Sequence, residues 1–213
     1  MDIIDCFPLQ SVIRNFYFVM LQDHNIEGQT QSGLNKPKLL KTVSLVGLMG
    51  AGKSTVGRRI AQTLDVTFCD ADDEIVLAAG RPIKDIFQER GEEEFRAGER
   101  RVIARLLDQE PHIMATGGGA FMNPLTRILM REKAVTVWLR ADIETLMHRV
   151  SRRNDRPLLA GDNPKQIMED LMKIRYPIYA QADIIIDSID GPHSLTVNNV
   201  IEALKINGVL TEG

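Results

Sequence analysis

Gly47-Leu48-Met49-Gly50-Ala51-Gly52-Lys53-Ser54 constrains this chain more than any other stretch. It satisfies G-x-x-x-x-G-K-[ST] at every fixed position, a pattern whose glycines let backbone N–H groups turn inward around a phosphate chain. Its flanks agree with that use. Thr42 to Val46 is short, mostly apolar and rich in β-branched residues, and reads as a buried strand. Beyond the loop, Val56, Ile60 and Leu64 recur at helical spacing on one face of a helix read from Thr55 to Leu64. Strand, glycine loop, helix is the order the chemistry requires, because the helix N-terminus adds a dipole favourable to anions. In this pattern Lys53 reaches the β- and γ-phosphates and Ser54 holds Mg²⁺. A glycine-rich turn that binds nothing is the alternative, and the agreement of pattern with context argues against it.

A chain of 213 residues suits one α/β domain with a sizeable core. The net charge of −3 gives no global basic field, so nucleic acid is not expected as a partner. With only two cysteines, Cys6 and Cys69, a disulfide framework is not expected, and a reducing compartment, the cytoplasm, is. No apolar run is long enough to span a bilayer, so no membrane association is expected.

Residues 1–40 differ from the rest. The acidic start Met1-Asp2-Ile3-Ile4-Asp5 is unlike a secretory signal. Phe16 to Leu21 is a short apolar patch, and Gln22 to Lys41 is polar linker. The segment reads as a loosely ordered extension, with a packing or partner-binding role as the alternative.

From residue 41 to residue 208, strands and helices alternate, which argues for a parallel sheet with helices on both faces. Val66 to Asp70 reads as the second strand, ending in Asp70-Ala71-Asp72-Asp73-Glu74. Ligands in open α/β sheets bind outside the carboxyl ends of strands, so these acids are placed for chemistry. Asp70 and Asp72, two apart, point the same way if the segment stays extended, one assisting Mg²⁺ and the other meeting a substrate hydroxyl. Capping of a helix from Glu74 to Ala79 by Asp72 or Asp73 is the structural alternative. Arg81 to Phe87 reads as a short helix, and Gly91 opens a longer one through Leu107, with Phe95, Val102, Ile103, Leu106 and Leu107 as its apolar stripe. Arg96 sits three residues before Glu99, a spacing that lets the two pair, either as an ordinary surface pair or to hold a guanidinium for an anion.

His112 to Thr116 reads as a strand, and Gly117-Gly118-Gly119 after it permits close approach of a ligand. Ala134 to Leu139 is a buried strand, followed by a helix from Asp142 to Val150 with Asp142 as cap. His148 reads as a surface histidine. The arginine-rich stretch Arg152-Arg153-Asn154-Asp155-Arg156 before a Pro/Gly-rich loop suits a mobile lid over a triphosphate better than a nucleic-acid patch. A helix from Lys165 to Tyr176, with Ile167, Leu171 and Ile174 at core spacing, leads to Arg175-Tyr176-Pro177-Ile178-Tyr179. Ala182 to Asp187 is the last strand, and Leu195 to Ile206 the last helix, ended by Gly208.

Together these stretches resemble the shikimate kinase family across roughly residues 40–208. The glycine loop alone identifies only a nucleotide-binding superfamily. The specific likeness rests on Asp70-Ala71-Asp72, Gly91-Glu92-Glu93-Glu94-Phe95-Arg96, Gly117-Gly118-Gly119, Arg156-Pro157-Leu158-Leu159 and Arg175-Tyr176-Pro177-Ile178-Tyr179, in that order. The resemblance implies a P-loop three-layer αβα sandwich with a central five-stranded parallel sheet, like the nucleoside monophosphate kinases. It implies a substrate-binding region near 71–100 and a mobile lid near 151–165. It implies transfer of the γ-phosphoryl of MgATP to the 3-hydroxyl of shikimate, in aromatic amino-acid biosynthesis. By resemblance, Asp72 is the general base or the orienter of the nucleophile. Arg96 and Arg175 grip the shikimate carboxylate, with Glu99 holding Arg96, and Gly118 and Gly119 line the ring. Gly50, Ala51, Gly52, Lys53, Ser54 and Thr55 hold the ATP phosphates. Lys53 and Arg156 stabilise the transferring group, and Arg149 lies near adenine. Ser54 binds Mg²⁺ directly, and Asp70 binds it directly or through water. The loop from Ser188 to Pro192 is a further adenine candidate by position. Phosphoryl transfer needs mainly positioning and charge neutralisation, and an anionic polyol needs arginine forks and carboxylate acceptors, so residue chemistry and resemblance agree. Gluconate, a nucleoside monophosphate, and a nucleotide-binding module without turnover are the rival readings. With no heptad and no large apolar patch apparent, a monomer is expected.

Overall fold

The sheet grows outward from the strand that feeds the glycine loop. In the computed structural model, which describes residues 37–151 and 163–211, β1 (Thr42–Val46) is central and all five of its residues are buried. The other strands are β2 (Phe68–Asp70), β3 (Ile113–Ala115), β4 (Ala134–Arg140) and β5 (Ile184–Asp187), in the spatial order β2-β3-β1-β4-β5. Every pairing is parallel, with Val43 opposite Ile113 on one side and opposite Val135 on the other. The chain leaves β1 toward β2 on one side and later returns to β4 on the other. The carboxyl end of β1 is therefore the switch point at which open α/β sheets hold ligands.

The helices are α1 (Lys53–Leu64), α2 (Ala71–Ala79), α3 (Ile83–Leu107), α4 (Pro124–Lys133), α5 (Ile143–Ser151), α6 (Pro164–Tyr179) and α7 (His193–Ile206). α1 packs beside α7, and α3 beside α4, which lies on β4. Val43, Leu45, Val56, Ile60, Ile103, Leu106, Ile113 and Leu139 form the heart of the core. Each such burial is worth about 1.5–3 kcal/mol, which is what holds the loops at the carboxyl edge in register. A small separate cluster of Ile75, Ile86 and Phe95 joins α2 to α3. Leu39 and Leu210, both buried, form an antiparallel bridge.

The expected alternation holds, with several corrections. The second strand begins at Phe68 rather than Val66, and the helix after it begins at Ala71, capped by Asp70 rather than by Asp72 or Asp73. The extended spacing assumed for Asp70 and Asp72 therefore breaks at the strand–helix boundary. α3 is broken at Gly91, whose φ of 77° and ψ of 175° are outside the helical region, so the short helix and the longer one opened by Gly91 stand as expected. α4 was not anticipated, although Asn123 followed by Pro124 is a helix-start signal and the Asn123 side chain accepts from Leu125 and Thr126 N–H. α6 continues through Pro177 to Tyr179. Pro177 and Lys173 lie on the exposed side, so the carbonyl deprived of a donor can meet water. Ile174 is 67% exposed rather than core; Met168 and Tyr179 carry the buried face of that helix. The patch Phe16 to Leu21 and the arginines Arg152, Arg153 and Arg156 lie outside the described residues.

Candidate active site

The glycine loop turns on residues that no other type would fill comfortably: Gly50 and Gly52 have φ of 84° and 93°. Gly52 is the N-cap of α1 and offers no side chain to its first turn, which also contains no acid. The helix's leading N–H groups are thus left for an anion. Lys53 Nζ donates to the Gly47 and Leu48 carbonyls at 2.8 and 3.0 Å, lying along the loop it belongs to. Ser54 Oγ donates to Asp70 Oδ2 at 2.6 Å, while Asp70 Oδ1 accepts from the Asp72 N–H at 3.2 Å. Asp70 therefore caps α2 and joins Ser54 with one carboxylate. A cavity of about 510 Å³ is lined here by Gly50, Gly52, Lys53, Ser54, Thr55, Asp70, Asp72, Gly117, Gly118 and Arg149, among others. Ala51, expected with them, is buried; its carbonyl accepts from the Ser188 hydroxyl at 3.0 Å. Arg149 reaches Ser188 Oγ at 2.9 Å, the Ile189 carbonyl, and the Gly50 carbonyl at 3.4 Å, which ties the loop after β5 to the glycine loop.

A second cavity, of about 600 Å³, contains both expected carboxylate-binding arginines, Arg96 and Arg175, together with Gly119. Arg96 Nη1 donates to Glu99 at 2.7 Å, and Glu99 is 1% exposed, so this is not an ordinary surface pair. The Arg96 guanidinium also lies 5.1 Å from the Phe95 ring centre and 5.8 Å from that of Phe87. Arg175 Nη1 donates to the Gly118 carbonyl at 3.2 Å. The three glycines form the wall between the cavities. A Cβ on Gly117 would lie 2.6 Å from Asp72 Oδ1, and one on Gly119 would lie 2.6 Å from Arg96 Cζ. The sequence suggested close ligand approach here; in the fold the close approach is first by the Asp72 and Arg96 side chains.

Other lining residues carried no sequence signal of a binding role. Met122, Asn123, Leu125 and Arg100 line the second cavity, and Thr116 and His193 the first. Burial, Arg149 and Arg59 all push the His193 imidazole down. His148 is exposed as expected and pairs with Asp190 at 3.0 Å. Arg156 lies outside the described residues.

Burial pushes the Glu99 carboxyl up, against the pull of Arg96. The folded chain then holds this proton more tightly than the unfolded chain. The group's stabilising contribution is complete below the ordinary glutamate value and is lost as pH rises through the raised one. Glu99→Gln removes that titration while keeping an acceptor for Arg96. The wild type is expected to lose melting temperature relative to Glu99→Gln as pH rises through this window. Thermal melts of both proteins across that range check it, and parallel profiles would count against it.

A glycine loop open to an anion and an arginine-lined cavity, sharing one glycine wall at the switch point of a parallel sheet, are the arrangement of a P-loop small-molecule kinase. A family model described as "Shikimate kinase" matches residues 49–205. The chain belongs to the shikimate kinase family. A shikimate kinase of Caulobacter vibrioides is 54% identical over 169 residues, which cover 79% of this chain and 84% of that protein. One from Paramagnetospirillum magneticum is 52% identical over 164 residues, 77% of this chain and 84% of that protein. The solved structure of shikimate kinase from Acinetobacter baumannii in complex with shikimate matches with a TM-score of 0.75 at 36% identity, covering 79% of this chain and 94% of that one.

Proposed function

We propose that the chain transfers the γ-phosphoryl group of ATP to the 3-hydroxyl of shikimate, giving shikimate 3-phosphate and ADP. The observation that carries this reading is the shared glycine wall, with Asp72 against Gly117 on one side and Arg96 against Gly119 on the other. Arg96 and Arg175 form the charge-assisted hydrogen bonds that a carboxylate needs, and this holds the ring with a hydroxyl toward Asp72. Asp72 orients that hydroxyl and accepts its proton as the oxygen attacks the γ-phosphorus. Lys53 leaves the Gly47 and Leu48 carbonyls to neutralise the β- and γ-phosphates, and the α1 N–H groups receive the phosphate chain. Arg149 stands beside the base-binding side. Arg156 is assigned from its sequence motif to the charge of the transferring group. Gly118 and Gly119 flank the ring.

The donor set suits Mg²⁺: Ser54 Oγ and Asp70 are hard oxygen ligands, and this ion takes few protein ligands, completing its shell with phosphate and water. Among the described residues no group of three or more His, Cys, Asp or Glu forms an all-protein cage, which Mg²⁺ does not need. When bound, the ion would neutralise phosphate charge. The low cysteine count favours the cytoplasm, and no described helix is long and apolar enough to cross a membrane. Residues 41–208 form the working domain, acting as a monomer; the expected extension over 1–40 and lid over 151–165 fall mostly outside the described residues, and Ser151 and Pro164–Lys165 belong to α5 and α6.

The test is ADP release from MgATP with shikimate, with gluconate, with AMP and with no acceptor. Release that depends on shikimate alone is expected. Release with another acceptor would overturn the substrate. ATP binding without release under any condition would overturn turnover of these acceptors.

A further inference from the structure

Tyr179 is fully buried, yet its hydroxyl is not spent on packing. It donates to the carbonyl of Gly118, the same oxygen that receives Arg175 Nη1 at 3.2 Å. Tyr179 and Arg175 stand one turn apart on α6, so one helix face grips one carbonyl with two donors. Gly118 is the middle residue of the wall between the cavities. A Cβ there would lie 3.4 Å from Arg175 Nη1, 3.5 Å from the Gly47 carbonyl and 3.7 Å from the Tyr179 hydroxyl. The Gly47 carbonyl is itself an acceptor for Lys53. The tyrosine ring is fixed by Phe121, Trp138 and Tyr176, with centres 6.5, 5.8 and 6.4 Å away.

We propose that Tyr179 is a positioning residue for the acceptor site: with Arg175 it clamps the Gly118 carbonyl, and so fixes the glycine wall and the direction in which Arg175 presents its guanidinium. This rests on the acceptor assignment made above. A phenylalanine would fill the same aromatic cluster, so packing alone does not account for the hydroxyl. Burial pushes the Tyr179 phenol up to about 12, with Arg175 opposing, so it remains a donor across the working range. Without this donor, Arg175 is the one side-chain donor left to this carbonyl among the described residues. The guanidinium is then divided between holding the wall and holding the substrate.

Tyr179→Phe tests this. Shikimate affinity is read from steady-state KM and from titration of the fluorescence of Trp138, the chain's single tryptophan, which lies against Tyr179. The KM and Kd for shikimate are expected to rise about five- to tenfold, with the ATP KM and melting temperature close to wild type. Combining Tyr179→Phe with Arg175→Lys should raise the shikimate KM by less than the product of the single effects, because both changes act on one carbonyl. Unchanged shikimate affinity in Tyr179→Phe, or equal losses for ATP and shikimate together with a lowered melting temperature, would overturn the positioning role. Multiplying effects in the double variant would also overturn it. A wild type that binds no shikimate would remove the acceptor assignment itself, and the proposal with it.

Discussion

Asp72→Asn is expected to lower the kcat for shikimate phosphorylation by about 10²- to 10⁴-fold, the range associated with a general base. The expectation comes from how the carboxylate is held. Its backbone N–H is fixed by Asp70 at 3.2 Å, in the first turn of α2. Its Oδ1 lies where a Cβ on Gly117 would stand, at 2.6 Å. Asparagine keeps the shape and the cap but loses the ability to take a proton. ATP binding should persist, since the phosphate contacts come from the glycine loop and Lys53. Steady-state kinetics and a nucleotide titration check both halves. An unchanged kcat would remove Asp72 from the chemistry, and a matching loss of ATP binding would show damage to the phosphate cradle.

The second large effect separates two neighbouring glycines. Gly119 has φ −95° and ψ −17°, a conformation alanine adopts without strain. Its glycine is required by what lies against it: an added methyl would occupy the space of the Arg96 guanidinium, with Cζ and Nη1 both at 2.6 Å. The guanidinium is the end of a flexible side chain, so Gly119→Ala should fold. The cost falls on function, because the arginine must leave Glu99 and its place in the acceptor cavity. Displacement on this scale is worth about 10²-fold in kcat/KM, expected here mainly as a raised shikimate KM. Gly117→Ala should differ in kind, since its methyl meets Asp72 Oδ1 and, at 3.3 Å, Glu99 Oε1. Its loss should fall mainly on kcat. Kinetics of the two variants side by side, with melting curves as control, decide the matter. Identical KM and kcat patterns would refute the division of roles along the wall.

Much of this protein was legible in its residues. The glycine loop required a strand before it and a helix after it, because only that order aims backbone N–H groups and a helix N-terminus at one phosphate chain. Apolar spacing placed the five strands and most helices, since burial imposes its period on the sequence locally. Asp70, Asp72, Arg96, Glu99 and the three glycines were visible as residue types at strand ends and in the early turns of a helix, whereas Arg175, near the end of α6, was marked only by the family resemblance. What the sequence left open depended on contacts between distant segments. Periodicity pointed Ile174 inward, but only the packing of α6 shows that Met168 and Tyr179 are buried there instead. The i,i+3 spacing of Arg96 and Glu99 allowed a surface pair as readily as a functional one. The burial of Glu99 and the rings of Phe87 and Phe95 show that the pair is not an ordinary surface one. No local pattern joins Gly117 to Asp72, Gly119 to Arg96 or Gly118 to Tyr179. Those pairs meet because the order β2-β3-β1 brings the ends of β2 and β3 beside the glycine loop, and because α3 and α6 close over them. The sequence by itself determined the chemistry available and the order of the elements that carry it. The tertiary structure alone decided which side chains share one wall, because that depends on distances between segments far apart along the chain.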